Sequence, residues 1–198
     1  MTELTDRFTT ALVQAATWHA GQVRKSKSVP YLAHLLVVTG LVLEDGGDED
    51  QAIAALLHDT LEDTEIDEET IEVMFGEEVA RIVVACSDTR ERPKPPWLER
   101  KRGHLAHLED ADEAVLRVTA ADKLHNCGDI VADVGRDGLG VFSRFRGDRQ
   151  GTCWYYAAMW ALLDERFGAS RLTTDLGAQA RLLHGLAGIT FPADPPTG

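Results

Sequence analysis

The sequence predicts an all-α fold, and three observations support this prediction. Apolar residues recur at three- and four-residue spacing along most of the 198-residue chain. Alternation of apolar and polar residues, which is typical of half-buried strands, is nearly absent. Residues that cap or stop helices, such as Asp48, Asp67 and Gly76, stand at the ends of the periodic segments. We therefore expect about eight or nine helices and no strand of note, in one domain with one core.

The first half of the chain divides into five helical segments. Pro30 can open the second helix after the polar loop GQVRKSKSVPY. Asp48 can cap the third helix, and Asp67 can cap a short fourth one that Gly76 stops. The expected segments are 8–19, 30–43, 49–57, 68–75 and 79–86. The residues of the second helix that we expect to face inward are Leu32, Leu35, Leu36, Thr39 and Leu43.

The second half contains four further expected helices, separated by loops rich in proline or glycine. Pro93, Pro95 and Pro96 make SDTRERPKPP a loop, and DVGRDGLG forms another. The chain ends in FPADPPTG, which we expect to be frayed. The expected helices are 98–108, 112–133, 152–167 and 175–186.

Composition and charge limit the classes of function. The apolar content of 44% and the charged content of 27% are ordinary for a globular protein. The net charge of −13 argues against generic binding to nucleic acid or to an anionic membrane, because no excess of cations exists to neutralise phosphates. A local cluster of Arg and Lys can still bind a small anionic substrate. No apolar run is long enough to span a membrane.

The N-terminus and the cysteines predict a cytoplasmic protein. MTELTDRFTT lacks the basic and then apolar regions of a signal peptide. The cysteines, Cys86, Cys127 and Cys153, are odd in number and have no zinc-type spacing, which favours a reducing compartment. The sequence does not set the oligomeric state, and a homo-oligomer is compatible with it.

The segment ALLHDTLEDT ends an apolar helix in His58 and Asp59. Consecutive helical residues project about 100° apart, so these side chains cannot share a narrow solvent face but can surround one point in front of a helix end. Imidazole and carboxylate groups together bind divalent ions. Further ligands must come from other elements, and His34 in YLAH and Asp122 in AADKLHN are candidates. Within its apolar helix, Asp122 is costly to bury unless it is paired or bound to metal.

Two histidines and two aspartates would leave positions on an octahedral ion for water and a phosphate oxygen, and the ion would lower the pKa of that water. Glu62 and Asp63 are too far along the chain to join these ligands easily, but they could accept the proton of the attacking water or hold it in line. Arg24, Lys25 and Lys27 form a basic cluster just before the second helix, and they suit phosphate groups.

Each feature also has an ordinary structural interpretation. A lone His-Asp pair at a helix end is typical of a histidine favoured by the helix dipole and a solvated aspartate. The Glu62-Asp63 pair could be a solvated acidic turn, and Arg24 with its neighbours could be an exposed loop. Trp154–Tyr156 is typical of a core segment with one exposed ring. The combination of these features, rather than any single one, indicates a metal site.

The spaced motifs resemble one protein family. HAGQVRKSKSVPYLAH, ALLHDTLEDT and ADKLHNCGDI, in this order, resemble the HD-domain hydrolases of the RelA/SpoT homologue group, which includes the small alarmone hydrolases. FGEEVARIV, LERK and GTCWYY resemble the connecting segments of that family. The resemblance implies a single HD hydrolase domain over residues 1–198, with a family-like core at about 8–167 and a C-terminal helix and frayed tail at 168–198.

The resemblance also implies a reaction and a set of residues that perform it. The family removes pyrophosphate from the ribose 3′ position of guanosine tetra- or pentaphosphate and usually binds manganese, although the donor set here also fits Fe²⁺, Co²⁺ or Zn²⁺. The implied metal ligands are His34, His58, Asp59 and Asp122. The residues implied to activate and orient the water are Glu62 and Asp63. The implied substrate contacts are Arg24, Lys25, Asn126 and Tyr155.

The chain departs from the family pattern in parts that would read the nucleotide. SDTRERPKPPWLERK is longer than usual, so Arg90, Arg92 or Lys94 could supply a basic residue there. Arg146–Asp148 replaces an Asn-Ala-Gly segment, and Cys127–Gly128 replaces a bulkier pair. These departures favour, as an alternative, hydrolysis of another phosphorylated nucleotide such as an adenosine analogue or NADPH. A catalytically silent nucleotide-binding module is a third hypothesis, although the ligand set and the Glu-Asp pair are complete.

Overall fold

The computed structural model describes residues 2–24, 27–89 and 93–196, and within them it contains ten α-helices. The helices are α1 Asp6–Trp18, α2 Leu32–Glu44, α3 Glu49–Leu57, α4 Thr60–Asp63, α5 Glu68–Phe75, α6 Glu77–Cys86, α7 Trp97–Leu108, α8 Glu113–Asp137, α9 Asp148–Arg166 and α10 Arg171–Ala187. A 3-10 helix, Leu139–Arg144, lies between α8 and α9. The all-α prediction is confirmed. The helix missing from the expected set is α4, a single turn too short to show periodicity.

The described part of the chain has no β-strand; its only β-type pairing is an isolated antiparallel bridge between Val23 and Pro30. None of its helices has both the length and the apolar character that crossing a membrane requires. None of the three cysteines forms a disulfide.

Contacts within the chain divide it into two compact units. The first contains Met1–Glu91 and Ala111–Asp122, and the second contains Arg92–Asp110 and Lys123–Gly198. Helix α8 therefore contributes its N-terminal part to the first unit and its C-terminal part to the second. The single domain expected over residues 1–198 remains a prediction.

Helix α3 is the central element of the first unit and packs against α1, α2 and α6. Its residues from Ala52 to Leu57 are all fully buried, as expected for a helix that is apolar on every side. Asp48 starts it as predicted, because the Asp48 carboxylate accepts a hydrogen bond from the backbone N–H of Gln51 at 2.9 Å. Glu49 and Asp50 in the first turn complement the positive end of the helix dipole.

Helix α2 buries a face that agrees only in part with the predicted one, since Leu35 and Thr39 are buried as expected. Leu36 was expected to face inward, but it is 45% exposed. The buried residues are His34, Leu35, Val38, Thr39 and Val42. The apolar residues of α2 lie on nearly all sides of the helix, so their spacing alone does not indicate which side is buried. The true buried face includes a histidine, which a count of apolar residues leaves out.

The second unit is built around α9, which packs against α7, α10 and the 3-10 helix. Helix α10 begins at Arg171, earlier than the expected start at 175, because Ser170 and Thr173 form a reciprocal capping box. The Arg181 guanidinium lies 4.3 Å from the ring centroid of Trp160 and 5.1 Å from that of Phe191. These contacts fasten the C-terminal helix to α9 and to the segment after α10.

The expected loop DVGRDGLG is wrong over its first part, because α8 continues to Asp137. Asp133 is buried, and its carboxylate accepts a hydrogen bond from the Arg136 guanidinium at 3.0 Å, with Arg144 3.7 Å away. These charge contacts offset the weak helix preference of Gly135. The helix stops before Gly138, whose φ of 77° is a conformation that favours glycine.

Candidate metal centre

His58 and Asp59 occupy the junction between α3 and α4. His58 is the residue after the last turn of α3, and Asp59 is the residue before α4. Both keep right-handed helical backbone angles, with φ of −57° and −97°. The two side chains nevertheless approach one another, with His58 Nε2 3.1 Å from Asp59 Oδ2. The junction thus brings neighbouring residues to one point in front of a helix end.

His34 approaches the same point from α2. It is 1% exposed, and its Nε2 lies 3.5 Å from Asp59 Oδ2. One ligand atom from each of His34, His58 and Asp59 lies within 4.8 Å of the others. The His34 and His58 rings meet edge to face, with centroids 5.2 Å apart. Three side chains that can each donate an electron pair to a metal therefore converge in the first unit.

Asp122 faces this cluster from the N-terminal part of α8. Its Oδ1 lies 3.2 Å from His34 Nε2 and 3.5 Å from His58 Nε2. Asp122 is 6% exposed and follows the fully buried Ala120 and Ala121. The structure therefore brings together all four residues whose role as metal ligands the resemblance implies. The role itself remains a prediction.

The spacing of these atoms fits a small divalent ion. Ligand atoms about 2.1 Å from an ion lie about 3.0 Å apart at right angles and about 3.4 Å apart in a tetrahedral arrangement. The four nitrogen–oxygen separations lie between 3.1 and 3.5 Å. Imidazole nitrogens and carboxylate oxygens together suit Mn²⁺, Fe²⁺, Co²⁺ and Zn²⁺. The residues therefore fit a divalent ion without selecting one.

A backbone hydrogen bond fixes the tautomer of His58. Its Nδ1 lies 2.9 Å from the carbonyl oxygen of Ala55, which can only accept, so Nδ1 carries a proton. In the neutral ring, Nε2 then presents its lone pair to the carboxylates. Burial disfavours the charged ring, but the charge of Asp59 and hydrogen bonds to Asp122 and Asp59 outweigh it and hold the pKa of His58 well above its usual value. A cation among the carboxylates would take the place of that proton.

Tyr31, which was not predicted from the sequence, contacts the cluster directly. Its hydroxyl donates to Asp59 Oδ2 at 2.5 Å, and its ring lies edge to face with His34, with centroids 5.4 Å apart. Burial, followed by the charge of Asp59, raises the pKa of Tyr31 well above its usual value, so the hydroxyl keeps its proton. Its position one helical turn before His34 was the available signal, because residues three apart share a helix face.

Glu62 and Asp63 lie in α4, directly after the cluster. The backbone N–H groups of both residues donate to the Asp59 carbonyl, at 3.2 and 3.0 Å. Glu62 is half-buried, and its Oε1 accepts a hydrogen bond from the backbone N–H of Asp88 at 2.5 Å. Asp63 is exposed, and its Oδ2 accepts a hydrogen bond from Gln22 at 2.9 Å. The two carboxylates are thus held by different parts of the first unit.

Arg24 lies next to Tyr31, with its guanidinium carbon 5.7 Å from the ring centroid. The backbone places it there, because Arg24 N–H donates to the Val29 carbonyl at 2.9 Å and Tyr31 N–H donates to the Gln22 carbonyl at the same distance. A cation therefore stands beside the residue that contacts Asp59. Three of the basic residues predicted to contact phosphate or to supply a cation lie outside the described residues, namely Lys25, Arg90 and Arg92.

The remaining predicted substrate contacts belong to the second unit. Asn126 is half-buried in α8, four residues after Asp122 in the sequence. Tyr155 is 5% exposed, with the Lys101 ammonium 4.6 Å from its ring centroid. The Tyr155 hydroxyl is buried and has no hydrogen-bond partner in the described part of the chain. Lys94 is exposed in the loop before α7. The substrate roles of these residues remain predictions.

Known proteins are similar to this chain over part of its sequence. The chain is 40% identical over 119 residues to the guanosine-3′,5′-bis(diphosphate) 3′-pyrophosphohydrolase MESH1 of Xenopus tropicalis. This match covers 59% of this chain and 65% of that protein. It is 41% identical over 116 residues to a probable guanosine-3′,5′-bis(diphosphate) 3′-pyrophosphohydrolase of Synechocystis. This second match covers 54% of this chain and 14% of the relative. The matches thus span less than two thirds of these relatives.

Solved structures share the fold. One, described as a metazoan ortholog of SpoT that hydrolyzes ppGpp, has a TM-score of 0.74 and 25% sequence identity, over 91% of this chain and 97% of the other. The structure of lmo0812 from Listeria monocytogenes has a TM-score of 0.65 and 26% identity, over 78% of this chain and 99% of the other. The family model described as HD domain matches residues 11–153. With most of its length matched by that model, the chain belongs to the HD-domain family.

Proposed function

We propose that this chain is a metal-dependent phosphohydrolase that removes pyrophosphate from the ribose 3′ position of guanosine 3′,5′-bis(diphosphate). The observation that supports this proposal most is the approach of His34, His58, Asp59 and Asp122 to one point, with nitrogen–oxygen separations of 3.1–3.5 Å. The activity named for MESH1 in Xenopus tropicalis supports the choice of substrate. Both the activity and the substrate are proposed for this chain.

In this proposal, His34, His58, Asp59 and Asp122 hold a divalent ion, with Mn²⁺ as the first candidate. When bound, such an ion would lower the pKa of a water molecule and balance phosphate charge. The chain prepares the donor atoms for it in two ways. The Ala55 carbonyl keeps the proton of His58 on Nδ1, and the Tyr31 hydroxyl holds Asp59 Oδ2. Such outer hydrogen bonds orient metal ligands and increase affinity.

Glu62 and Asp63 are the proposed proton-handling groups. Hydrolysis forms a bond from water oxygen to phosphorus and breaks the bond between that phosphorus and the ribose 3′ oxygen, so one proton must leave the water and one must reach the leaving oxygen. A carboxylate in α4 can accept the proton of the water and donate it to the leaving ribose 3′ oxygen. The Asp88 N–H donates a hydrogen bond to Glu62 Oε1 and so ties this carboxylate to the segment after α6. The products are GDP and pyrophosphate.

The substrate carries several negative charges, and Arg24 is the described cation best placed to contact them. Its guanidinium stands beside Tyr31, and a planar guanidinium can form two hydrogen bonds with a phosphate. Lys25 is proposed to add a second cation. Asn126 and Tyr155 are proposed to contact the nucleoside, and the buried Tyr155 hydroxyl supports this role because it leaves a donor for a ligand. A cytoplasmic location and a homo-oligomer remain predictions.

Incubation of the purified protein with Mn²⁺ and ppGpp tests the proposal. We expect release of GDP and pyrophosphate by wild type and loss of most of the rate in Asp63→Asn, with nucleotide binding retained. The same assay with adenosine analogues and NADPH examines the alternative substrates. Turnover of one of these nucleotides but not of ppGpp would support the proposed phosphohydrolase activity and contradict the proposed substrate. Inactivity on all of them, with metal shown to be bound, would contradict the proposed activity.

A further inference from the structure

The Gln22 side chain connects an exposed carboxylate with a buried imidazole. Its Nε2 donates to Asp63 Oδ2 at 2.9 Å. Its Oε1 lies 2.6 Å from Nδ1 of His19. Gln22 is half-buried, Asp63 is exposed and His19 is 4% exposed. A continuous polar chain therefore runs from the end of α4 into the interior of the first unit.

The donors and acceptors of this chain permit only one direction. A carboxylate accepts hydrogen bonds and cannot donate them, so the amide NH₂ of Gln22 must face Asp63. The amide oxygen then faces His19, and because that oxygen only accepts, His19 Nδ1 must carry a proton. In the neutral ring, His19 Nε2 becomes an acceptor, and the Thr60 hydroxyl lies 3.5 Å away. Rotation of the amide by 180° would place two acceptors against one another.

His19 provides a rigid base for this arrangement. Its ring stacks on Tyr31, with centroids 5.4 Å apart and planes 24° apart. The backbone N–H of Gln22 donates to the His19 carbonyl at 3.0 Å, and the backbone N–H of Tyr31 donates to the Gln22 carbonyl at 2.9 Å. Hydrogen bonds therefore hold both the backbone and the side-chain amide of Gln22. Asp63, at the surface, would otherwise be free to change rotamer.

We propose that Gln22 is a positioning residue that holds the carboxylate of Asp63 in one orientation, with His19 as its buried anchor. This inference rests on the proposed function, in which Asp63 orients water or accepts its proton. Gln22 acts through Asp63, and within the described residues its side chain forms hydrogen bonds with His19 and Asp63 and with none of the candidate metal ligands. Loss of the amide should therefore change the rate of the chemical step and leave metal affinity intact, because small displacements of a catalytic group reduce the rate strongly.

Gln22→Met is the test variant, since methionine has a similar length and no amide. We expect kcat for ppGpp with Mn²⁺ to fall about ten- to a hundredfold, with KM and Mn²⁺ affinity unchanged. The matched control is Gln14→Met, the same substitution at a half-buried position of α1, and it should retain the wild-type rate. In an Asp63→Asn background, Gln22→Met should cost little further rate, because the group it positions is already lost.

A spectroscopic measurement gives a readout that does not depend on turnover. Long-range ¹H–¹⁵N correlations at about pH 8, where imidazole is ordinarily neutral, report which ring nitrogen of His19 carries the proton. We expect Nδ1 in wild type and a shift towards Nε2 in Gln22→Met. A proton on Nε2 in wild type would overturn the inference, whether or not the protein hydrolyses ppGpp.

The two proposals fail in different ways. If wild type hydrolyses ppGpp and Gln22→Met keeps its kcat, the positioning role is wrong and the proposed function stands. If Gln22→Met reduces kcat equally in the wild-type and Asp63→Asn backgrounds, the positioning role is also contradicted, since Gln22 would then act on a residue other than Asp63. If wild type hydrolyses no nucleotide of the panel, the proposed function is wrong, and the positioning role, which depends on it, falls with it.

Discussion

Tyr31 donates its phenolic proton to Asp59 Oδ2 at 2.5 Å, and that same oxygen faces Nε2 of His58 at 3.1 Å. One carboxylate oxygen therefore receives a buried hydroxyl on one side and an imidazole on the other. Burial favours the neutral acid, but the charge of His58 and hydrogen bonds from His34 and His58 hold the pKa of Asp59 well below its usual value. Asp59 is thus kept ionised and oriented, as a metal ligand must be.

Tyr31→Phe is expected to weaken Mn²⁺ binding. The variant keeps the ring that packs on His19 and His34 and removes only the hydroxyl on Asp59. Loss of such a supporting hydrogen bond typically reduces metal affinity about 10–100-fold. Isothermal titration calorimetry of the metal-free protein measures this change. Tyr155→Phe removes the same atom from the second unit and should bind Mn²⁺ as wild type does; equal affinity in all three proteins would contradict the prediction.

Metal binding is expected to stabilise the fold, and Asp122 is expected to carry part of that effect. An ion present at a hundredfold excess over its Kd adds about 2.7 kcal/mol to the free energy of unfolding. Asp122→Asn keeps the shape of the side chain but removes its negative charge, so the same Mn²⁺ concentration should stabilise this variant less. Urea unfolding with and without Mn²⁺ measures the difference. Asp175→Asn, at an exposed surface pair in α10, should respond to Mn²⁺ as wild type does.

The sequence was sufficient to predict which four side chains come together, because they lie in motifs that the family spacing makes specific, and their role as metal ligands remains a prediction. His58 and Asp59 stand at the end of α3 as expected, and His34 and Asp122 face them. The surrounding support was not predicted. The spacing of Tyr31 and His34 indicates that the two can share one side of a helix, but only the folded backbone shows that the Tyr31 hydroxyl reaches a residue 28 positions later.

Helix boundaries and buried faces were predicted less well where two local preferences compete. Leu36 is as apolar as Leu35, and the spacing of α2 gives no reason to expose one of them. Gly135 favours a loop, yet the buried contacts of Asp133 carry α8 to Asp137. Short α4 has too few residues for any periodicity, although it holds Glu62 and Asp63. In each case the spacing of apolar residues and the local helix preferences are not enough to decide the outcome.

Glu62→Gln is expected to reduce turnover without changing stability. The glutamine oxygen can still accept the N–H of Asp88, so the packing between α4 and the end of α6 is preserved. The change removes only the charge and the capacity to accept a proton, and a loss of about 10²–10⁴ in kcat is typical for such a group. Steady-state kinetics and thermal unfolding together check this. Glu69→Gln, exposed in α5, should keep the wild-type rate; a fully active Glu62→Gln would exclude Glu62 as a proton acceptor.

His184 is expected to make stability depend on pH in a defined direction. It is 1% exposed, its ring lies 4.8 Å from that of Phe191, and its Nδ1 lies 2.7 Å from the Ala180 carbonyl. Burial lowers the pKa of His184 below its ordinary value of 6.5, and the bond to Ala180 offsets part of that effect. Between these two pKa values the unfolded chain binds more protons than the folded one at this position.

Stability contributed by His184 is therefore present above about pH 6.5 and is lost as the pH falls through that value towards the lower folded pKa. His184→Leu removes the titrating ring, so the difference in unfolding free energy between wild type and variant should shrink, or change sign in favour of the variant, as the pH falls from 7.5 to 5. Urea unfolding of both proteins without metal measures this difference, and groups common to both cancel in it. A difference that stays constant, or that grows in favour of wild type at low pH, would show that burial does not disfavour the charged form of this histidine.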